Sequence, residues 1–175
     1  EIKVYKETSL QDLVALADGG SEIKLFANVT VTAEFTIASK NIELDLNGFT
    51  VTSNVRGRIT GTTQLYIHGG TIEDGNADFI FISAGNNSVL FKIENCTVNA
   101  TGKLVDARSG SIEVVDSDFI GTAGSVFLLA SQGTSVRFSA TGSSFVLESA
   151  SVVSTARGNY AEAALPEISM HNCTV

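Results

Sequence analysis

Three acidic side chains crowd one short stretch, Glu73, Asp74 and Asp78, and a second pair follows at Asp116 and Asp118. Clustered carboxylates serve two kinds of chemistry: they hold a hard divalent cation, or one attacks as a nucleophile while neighbours supply acid and oxyanion donors. Calcium takes roughly six to eight oxygens in a shaped site, and nothing in the spacing of either group shapes one. The expectation is therefore solvated surface carboxylates and no cofactor, with calcium the one metal these residues would suit. Among the nucleophile candidates Asp78 stands out, in the run Gly75-Asn76-Ala77-Asp78-Phe79-Ile80-Phe81. If the chain is an enzyme, Asp78 is the catalytic residue to test. Modification chemistry is offered by Asn28, Asn86, Asn95, Asn99 and Asn172, each of which begins an N-x-[ST] sequon.

These residues must be carried by short elements, and the pattern of Asn41 to Thr52, NIELDLNGFTVT, shows which. Leu44 and Leu46 alternate with Glu43 and Asp45, Gly48 breaks the run, and Phe49-Thr50-Val51 resumes it. The frame returns at Leu65–Ile72, Phe91–Val98, Ile112–Phe119 and Ile168–Val175, and a degenerate copy with two extra residues runs from Val136 to Phe145. Registered on the second apolar residue, the copies align Leu46, Ile67, Ile93, Val114, Phe138 and Met170, at steps of 21, 26, 21, 24 and 32 residues. Such periods describe supersecondary units that bury their apolar faces only by stacking. Two positions on stand Gly48, Gly69, Asn95, Asp116 and Asn172, types that tolerate a left-handed corner. This role accounts for Asn95 and Asn172 and leaves Asn28, Asn86 and Asn99 as the glycosylation candidates. His68 and His171 fall in one outward column four coils apart, too far to share a metal.

A second apolar run lies between frames, at Asp78–Ile82, Lys103–Ala107, Val126–Ala130 and Ser151–Thr155. Strict alternation would turn one of two columns to solvent, either Phe79/Leu104/Phe127/Val152 or Ile80/Val105/Leu128/Val153. Ahead of the coils, Glu1–Lys6 alternates as a strand, and Leu10, Leu13, Val14 and Ala17 form the stripe of a short capping helix ending at Gly19-Gly20. The longest interruption, Arg157 to Glu167, reads as a loop or helical turn beside the last coil.

The frame x-apolar-x-apolar-x-[GND]-small-[TD]-apolar resembles the right-handed parallel β-helix of the pectin-lyase-like superfamily. The resemblance implies an all-β, single-stranded right-handed solenoid of about six coils with a short N-terminal capping helix. One domain spans 1–175, with 1–21 as strand and cap and 22–175 as coils. Locally, Asp78-Phe79-Ile80-Phe81 with Phe91 and Cys96 resembles the pectin methylesterase segment that carries a nucleophilic aspartate. The other motifs of that family do not follow: the upstream position holds Asn54-Val55-Arg56-Gly57, and a chain without Trp cannot hold Gly-Arg-Pro-Trp. Asp78 then reads as a strand-flanking carboxylate beside Lys103 on the next coil.

Net charge is −8 with 11 basic residues, read as scattered, which argues against nucleic acid. No apolar run is long enough to span a membrane. Cys96 and Cys173 share a column three coils apart, roughly 14 Å at the spacing of stacked strands, beyond disulfide reach, so two free buried thiols are expected. The expected function is that of a non-catalytic extracellular or cell-surface module with a structural, adhesive or glycan-contacting role; the alternative is an esterase-like or lyase-like enzyme acting on an acidic polysaccharide. Ile2, Val4 and Val175 are the candidate residues for end-to-end self-assembly, because open strand edges invite pairing.

Overall fold

The computed structural model describes residues 2–4, 12, 14, 17–74, 78–85, 88–122, 124–132, 134–156 and 164–175. The chain is an all-β parallel solenoid of about six turns with three sheets along its sides. Sheet A stacks β1 (Ile2–Val4), β2 (Ser21–Leu25), β5 (Asn41–Asp45), β8 (Gln64–His68), β11 (Leu90–Glu94), β14 (Ser111–Val115), β17 (Arg137–Thr141) and β20 (Glu167–His171). Sheet B stacks β3 (Val29–Val31), β6 (Thr50–Ser53), β9 (Thr71–Asp74), β12 (Thr97–Ala100), β15 (Asp118–Gly121) and β18 (Ser144–Leu147). Sheet C stacks β4 (Phe35–Ala38), β7 (Gly57–Thr60), β10 (Ile80–Ile82), β13 (Val105–Ala107), β16 (Gly124–Leu129) and β19 (Ala150–Thr155). The expected capping helix ending at Gly19-Gly20 lies largely outside the described residues, although Val14 and Ala17 are buried. The strand at Ile2–Val4 pairs with Ile23–Leu25 of its own chain, which makes it a first rung of sheet A.

Period-two alternation puts one set of side chains inside. Ile42, Leu65, Phe91, Ile112 and Phe138 form one inward column, and Leu44, Ile67, Ile93, Val114 and Ala140 the next; all are buried. The expected register is corrected here by two residues in two copies. Leu44, not Leu46, stands beside Ile67, and Ala140, not Phe138, stands beside Val114. The copy at Val136–Phe145 is thus regular, and the extra pair belongs to the first frame, whose corner takes both Asn47 (φ 50°) and Gly48 (φ 82°). Because the error is two residues and the period is two, every side chain kept its face. The other corners lie at Gly69 (φ 74°), Asn95 (51°), Asp116 (44°), Gly142 (65°) and Asn172 (52°), the left-handed conformation these types accept.

Aromatic rings fill the C-terminal half of the core. Phe119 stacks on Phe145 with centroids 5.0 Å apart, and Phe127 bridges Phe119 and Phe138 at 5.6 and 4.8 Å. Burying each such ring contributes about 1.5–3 kcal/mol. In sheet C most of both apolar columns is buried, while Leu128, in line with Phe81 and Asp106, and Val153 on the last rung are half-buried. Phe79 and Leu104 precede β10 and β13, Ile80 and Val105 begin those strands, and Val126 and Phe127 lie inside β16; all six are buried. At β10 and β13 the chain bends between the two residues, so alternation starts only at the strand itself, and no continuous exposed apolar stripe forms. Ile80 also pairs with Val105 and then Phe127, so the expected columns slip by one at that rung. Both cysteines are free thiols, but Cys173 is only half-buried, because it lies beside the outermost rung of sheet A.

Candidate functional site

The Asp78 region is built by stacking three turns. Parallel pairing of Ile80 with Gly57 on one side and Val105 on the other aligns the approaches to β7, β10 and β13, which brings Arg56, Asp78 and Lys103 together. Asp78 is 6% exposed and clamped between an Arg56 guanidinium nitrogen and Lys103, whose Nζ lies 3.1 Å from Oδ1. The same ammonium reaches Asp106 Oδ2 at 3.4 Å. Asp106, 3% exposed, is gripped by Arg108 through a two-point fork, Nε to Oδ1 at 2.7 Å and Nη2 to Oδ2 at 3.0 Å. The expected pairing of Asp78 with Lys103 is present, but the expectation of solvated carboxylates is corrected: Asp78 is buried, and Asp74 is buried at 2% on the inward face of β9. Burial follows from register, since Asp74 lies in line with Ser53 and Ala100 rather than with Asp78. Asp116 and Asp118 are exposed, and Ser144 Oγ donates to Asp118 Oδ1 at 2.5 Å.

Phe81 points out of β10 in line with Arg58 and Asp106. Three guanidiniums gather at its ring, Arg58 at 4.9 Å from the centroid, Arg56 at 5.2 Å and Arg108 at 5.9 Å. The basic residues are therefore not scattered: Arg56, Arg58, Lys103 and Arg108, four of the 11 Lys and Arg, share this face. Sequence reasoning missed the cluster. The signal was present in Arg56 lying 22 residues before Asp78, one turn away, but it is readable only once the turn lengths are known.

A second polar network covers sheet A. Lys24 donates to Asp45 at 2.5 Å, His68 Nε2 lies 2.9 Å from Glu43, Tyr66 Oη donates to Glu94 at 2.8 Å, and Lys92 pairs with Glu94 at 2.5 Å. Tyr66 stacks on His68 at 4.6 Å and lies under Lys92 Nζ at 4.8 Å. Burial, together with the bond to Glu94 and its charge, pushes the Tyr66 phenol up to about 12. Hydrogen bonds from Lys92 and Tyr66 hold the Glu94 carboxyl below its ordinary range. Burial raises Asp45, but Lys24, the Asn47 backbone N–H and His68 outweigh it and leave that carboxyl low. Burial raises the Cys96 thiol. His68 and His171 do lie in one outward column four rungs apart.

Two neighbouring grooves of about 340 and 320 Å³ on sheet A share Ser111 and Arg137; neither contains Asp78. Among the described residues no group of three His, Cys, Asp or Glu is placed to hold a metal ion. Of the sequon residues, Asn28 is exposed and its Oδ1 accepts from Thr50 N at 2.9 Å, Asn99 commits its amide nitrogen to Glu73 Oε1 at 2.7 Å, and Asn86 lies outside the described residues. Val175 is 83% exposed. No helix among the described residues is long and apolar enough to cross a membrane. No family model, curated protein or solved structure matches this chain.

Proposed function

We propose that the protein is a non-catalytic module of the cell exterior, a parallel β-helix of the pectin-lyase-like kind, that works by contact with glycans. The observation that supports this reading is the condition of Asp78. A nucleophilic carboxylate must reach a substrate atom, and this one is nearly buried with Arg56 on one oxygen and Lys103 on the other. Its geometry serves to orient cations. The abundance of Ser, Thr and Asn on a chain with 17% charged residues, and the exposed sequon at Asn28, support an exterior location. A second reading, self-association through the last rung, is supported by Ile168 and Met170, which stand in inward columns yet are 48% and 39% exposed.

The test pairs a turnover assay with a stability measurement. Methylated and demethylated polygalacturonate are incubated with the chain and assayed for ester cleavage and unsaturated ends, with none expected. Asp78→Ala is expected to lower stability by about 1–2 kcal/mol, since it strands two cations that remain partly solvated. Turnover that vanishes in Asp78→Ala overturns the non-catalytic reading in favour of an enzyme acting on an acidic polysaccharide.

A further inference from the structure

The strand β20 is the outermost rung of sheet A, and each of its residues is exposed. Half of its backbone is already committed. Glu167 N donates to Val136 O at 2.9 Å and His171 O accepts from Gly142 N at 3.1 Å, so the polar groups of Glu167, Ser169 and His171 turn towards β17. Alternate residues of a strand present N–H and C=O to opposite sides, which leaves those of Ile168 and Met170 on the open edge. The side chains of the same two residues stand in inward columns beside Phe138 and Ala140, yet are 48% and 39% exposed. An edge with open backbone groups and an uncovered apolar face is a template for one more strand. Which strand it accepts depends on the side chains that arrive.

The sequence of β20, Glu-Ile-Ser-Met-His, is its own complement. Laid antiparallel on a copy of itself about a two-fold axis at Ser169, it sets Glu167 opposite the partner's His171 and Ile168 opposite the partner's Met170, and the axis repeats both pairs. Residues directly opposite in an antiparallel ladder share a face. Ile168 and the partner's Met170 therefore continue the core, while outside it the imidazole N–H, or its charge once protonated, meets the Glu167 carboxylate. Arg137 Nε, 3.0 Å from Glu167, steadies that carboxylate from the rung below. The open backbone fits as well: Ile168 and the partner's Met170 exchange both N–H···O bonds, and Ser169 meets its own copy in a non-hydrogen-bonded pair on the axis. Head-to-tail addition of β1 fits less well. Seating Ile2 on Met170 sets Lys3 beside His171, and seating it on Ile168 sets Glu1 beside Glu167, like against like in either register. We infer that β20 is the docking edge for a second copy of this chain, paired antiparallel about Ser169. This rests on the self-association reading above and names its strand, direction and register.

The test combines cross-linking with solution mass, on the full chain carrying Cys173→Ser so that the half-buried thiol takes no part. Serine already fills the same corner position at Ser117 and Ser143. Non-hydrogen-bonded antiparallel pairs stand about 4.5 Å apart at Cα, within the span of about 4.4–6.8 Å that a disulfide bridges. With oxidised glutathione taking up the two electrons and two protons released by a pair of thiols, Ser169→Cys is expected to give a covalent dimer. Ser139→Cys, in the same outward column one rung inside, is expected to give none. Sedimentation equilibrium without oxidant then reads affinity. His171→Glu sets carboxylate against carboxylate at both pairs and is expected to weaken the dimer about tenfold, and adding Glu167→His to it should recover part of the loss. A chain that stays monomeric at high concentration overturns both the inference and the self-association reading. Particles larger than dimers, cross-linking of Ser169→Cys no faster than that of Ser139→Cys, or no recovery in the exchanged pair overturns this pairing and leaves self-association standing.

Discussion

Asp78 and Tyr66 show how a side chain's chemistry depends on the turn above and the turn below it. Asp78 has the sequence context of a nucleophile and the surroundings of a counter-ion, because Arg56 and Lys103 approach it from adjacent turns. Tyr66 has an ordinary strand context, yet its burial and its bond to Glu94 raise the phenol from 10.0 to about 12. A raised phenol disfavours the ionised folded state, so this contribution to stability is complete below pH 10 and is lost as the pH climbs from 10 towards 12. Asp45 and Glu94 act in the opposite sense: their folded carboxyls are lowered, so their contribution is present at neutral pH and lost as the pH falls below their ordinary values of 3.8 and 4.5. Thermal melts against pH should therefore fall off at both ends. Tyr66→Phe should flatten the alkaline limb between pH 10 and 12 relative to wild type, and an identical alkaline limb in both proteins would refute the assignment.

At the scale of the element, the corner between sheets A and B is where local chemistry is most demanding. Its left-handed residue is supplied by Gly, Asn or Asp in every frame, and the position after it is small for a different reason. A Cβ at Gly70 would meet Leu46 Cβ and the Phe49 carbonyl oxygen, each at 2.5 Å, because the previous turn carries its two extra residues directly beneath. A Cβ at Gly48 would meet nothing within 4 Å, and one at Gly69 would meet Asp45 Oδ1 at 3.5 Å, ordinary contact. Gly48→Ala and Gly69→Ala thus cost only the strain of a positive φ, about 1 kcal/mol. Gly70→Ala must displace backbone and is expected to cost about 2 kcal/mol or more. Denaturant unfolding of the three variants checks the order, and a Gly70→Ala protein as stable as Gly48→Ala would refute this account of the corner.

At the scale of the whole molecule the two ends of the solenoid differ. At the first turn Val14 and Ala17 are buried, and Lys40 Nζ donates to both of their carbonyls, at 3.3 and 2.8 Å, so that end of the core is covered. At the other end β20 is outermost in sheet A, and Ile168 and Met170 are uncovered in columns whose members from Ile42 to Ala140 are 4% exposed or less. If the chain self-associates as proposed above, contact between two uncovered ends is isologous and closes as a pair, in contrast to an open head-to-tail filament. Light scattering across concentration should show a dimer that dissociates in Met170→Lys. A wild type that stays monomeric at high concentration would end the self-association reading, and particles growing without limit would restore the filament.

Alternation of apolar and polar residues, with Gly, Asn or Asp at each corner, was enough by itself to determine a parallel solenoid and the face of nearly every side chain in sheets A and B. The physical reason is that strand period and corner conformation are local properties. Leu46 was placed where Leu44 belongs, and Phe138 where Ala140 belongs, without turning either side chain outward, because a slip of two preserves facing. Lateral neighbours are another matter. Successive turns of sheet A differ in length from 21 to 30 residues, so which charge stands beside which is set by how each excursion folds back and by the backbone pairing that then locks the register. Only the tertiary structure decided that Arg56, Arg58, Lys103 and Arg108 converge on Phe81, that Asp74 turns inward, and that both apolar columns of sheet C are buried where the chain bends into β10.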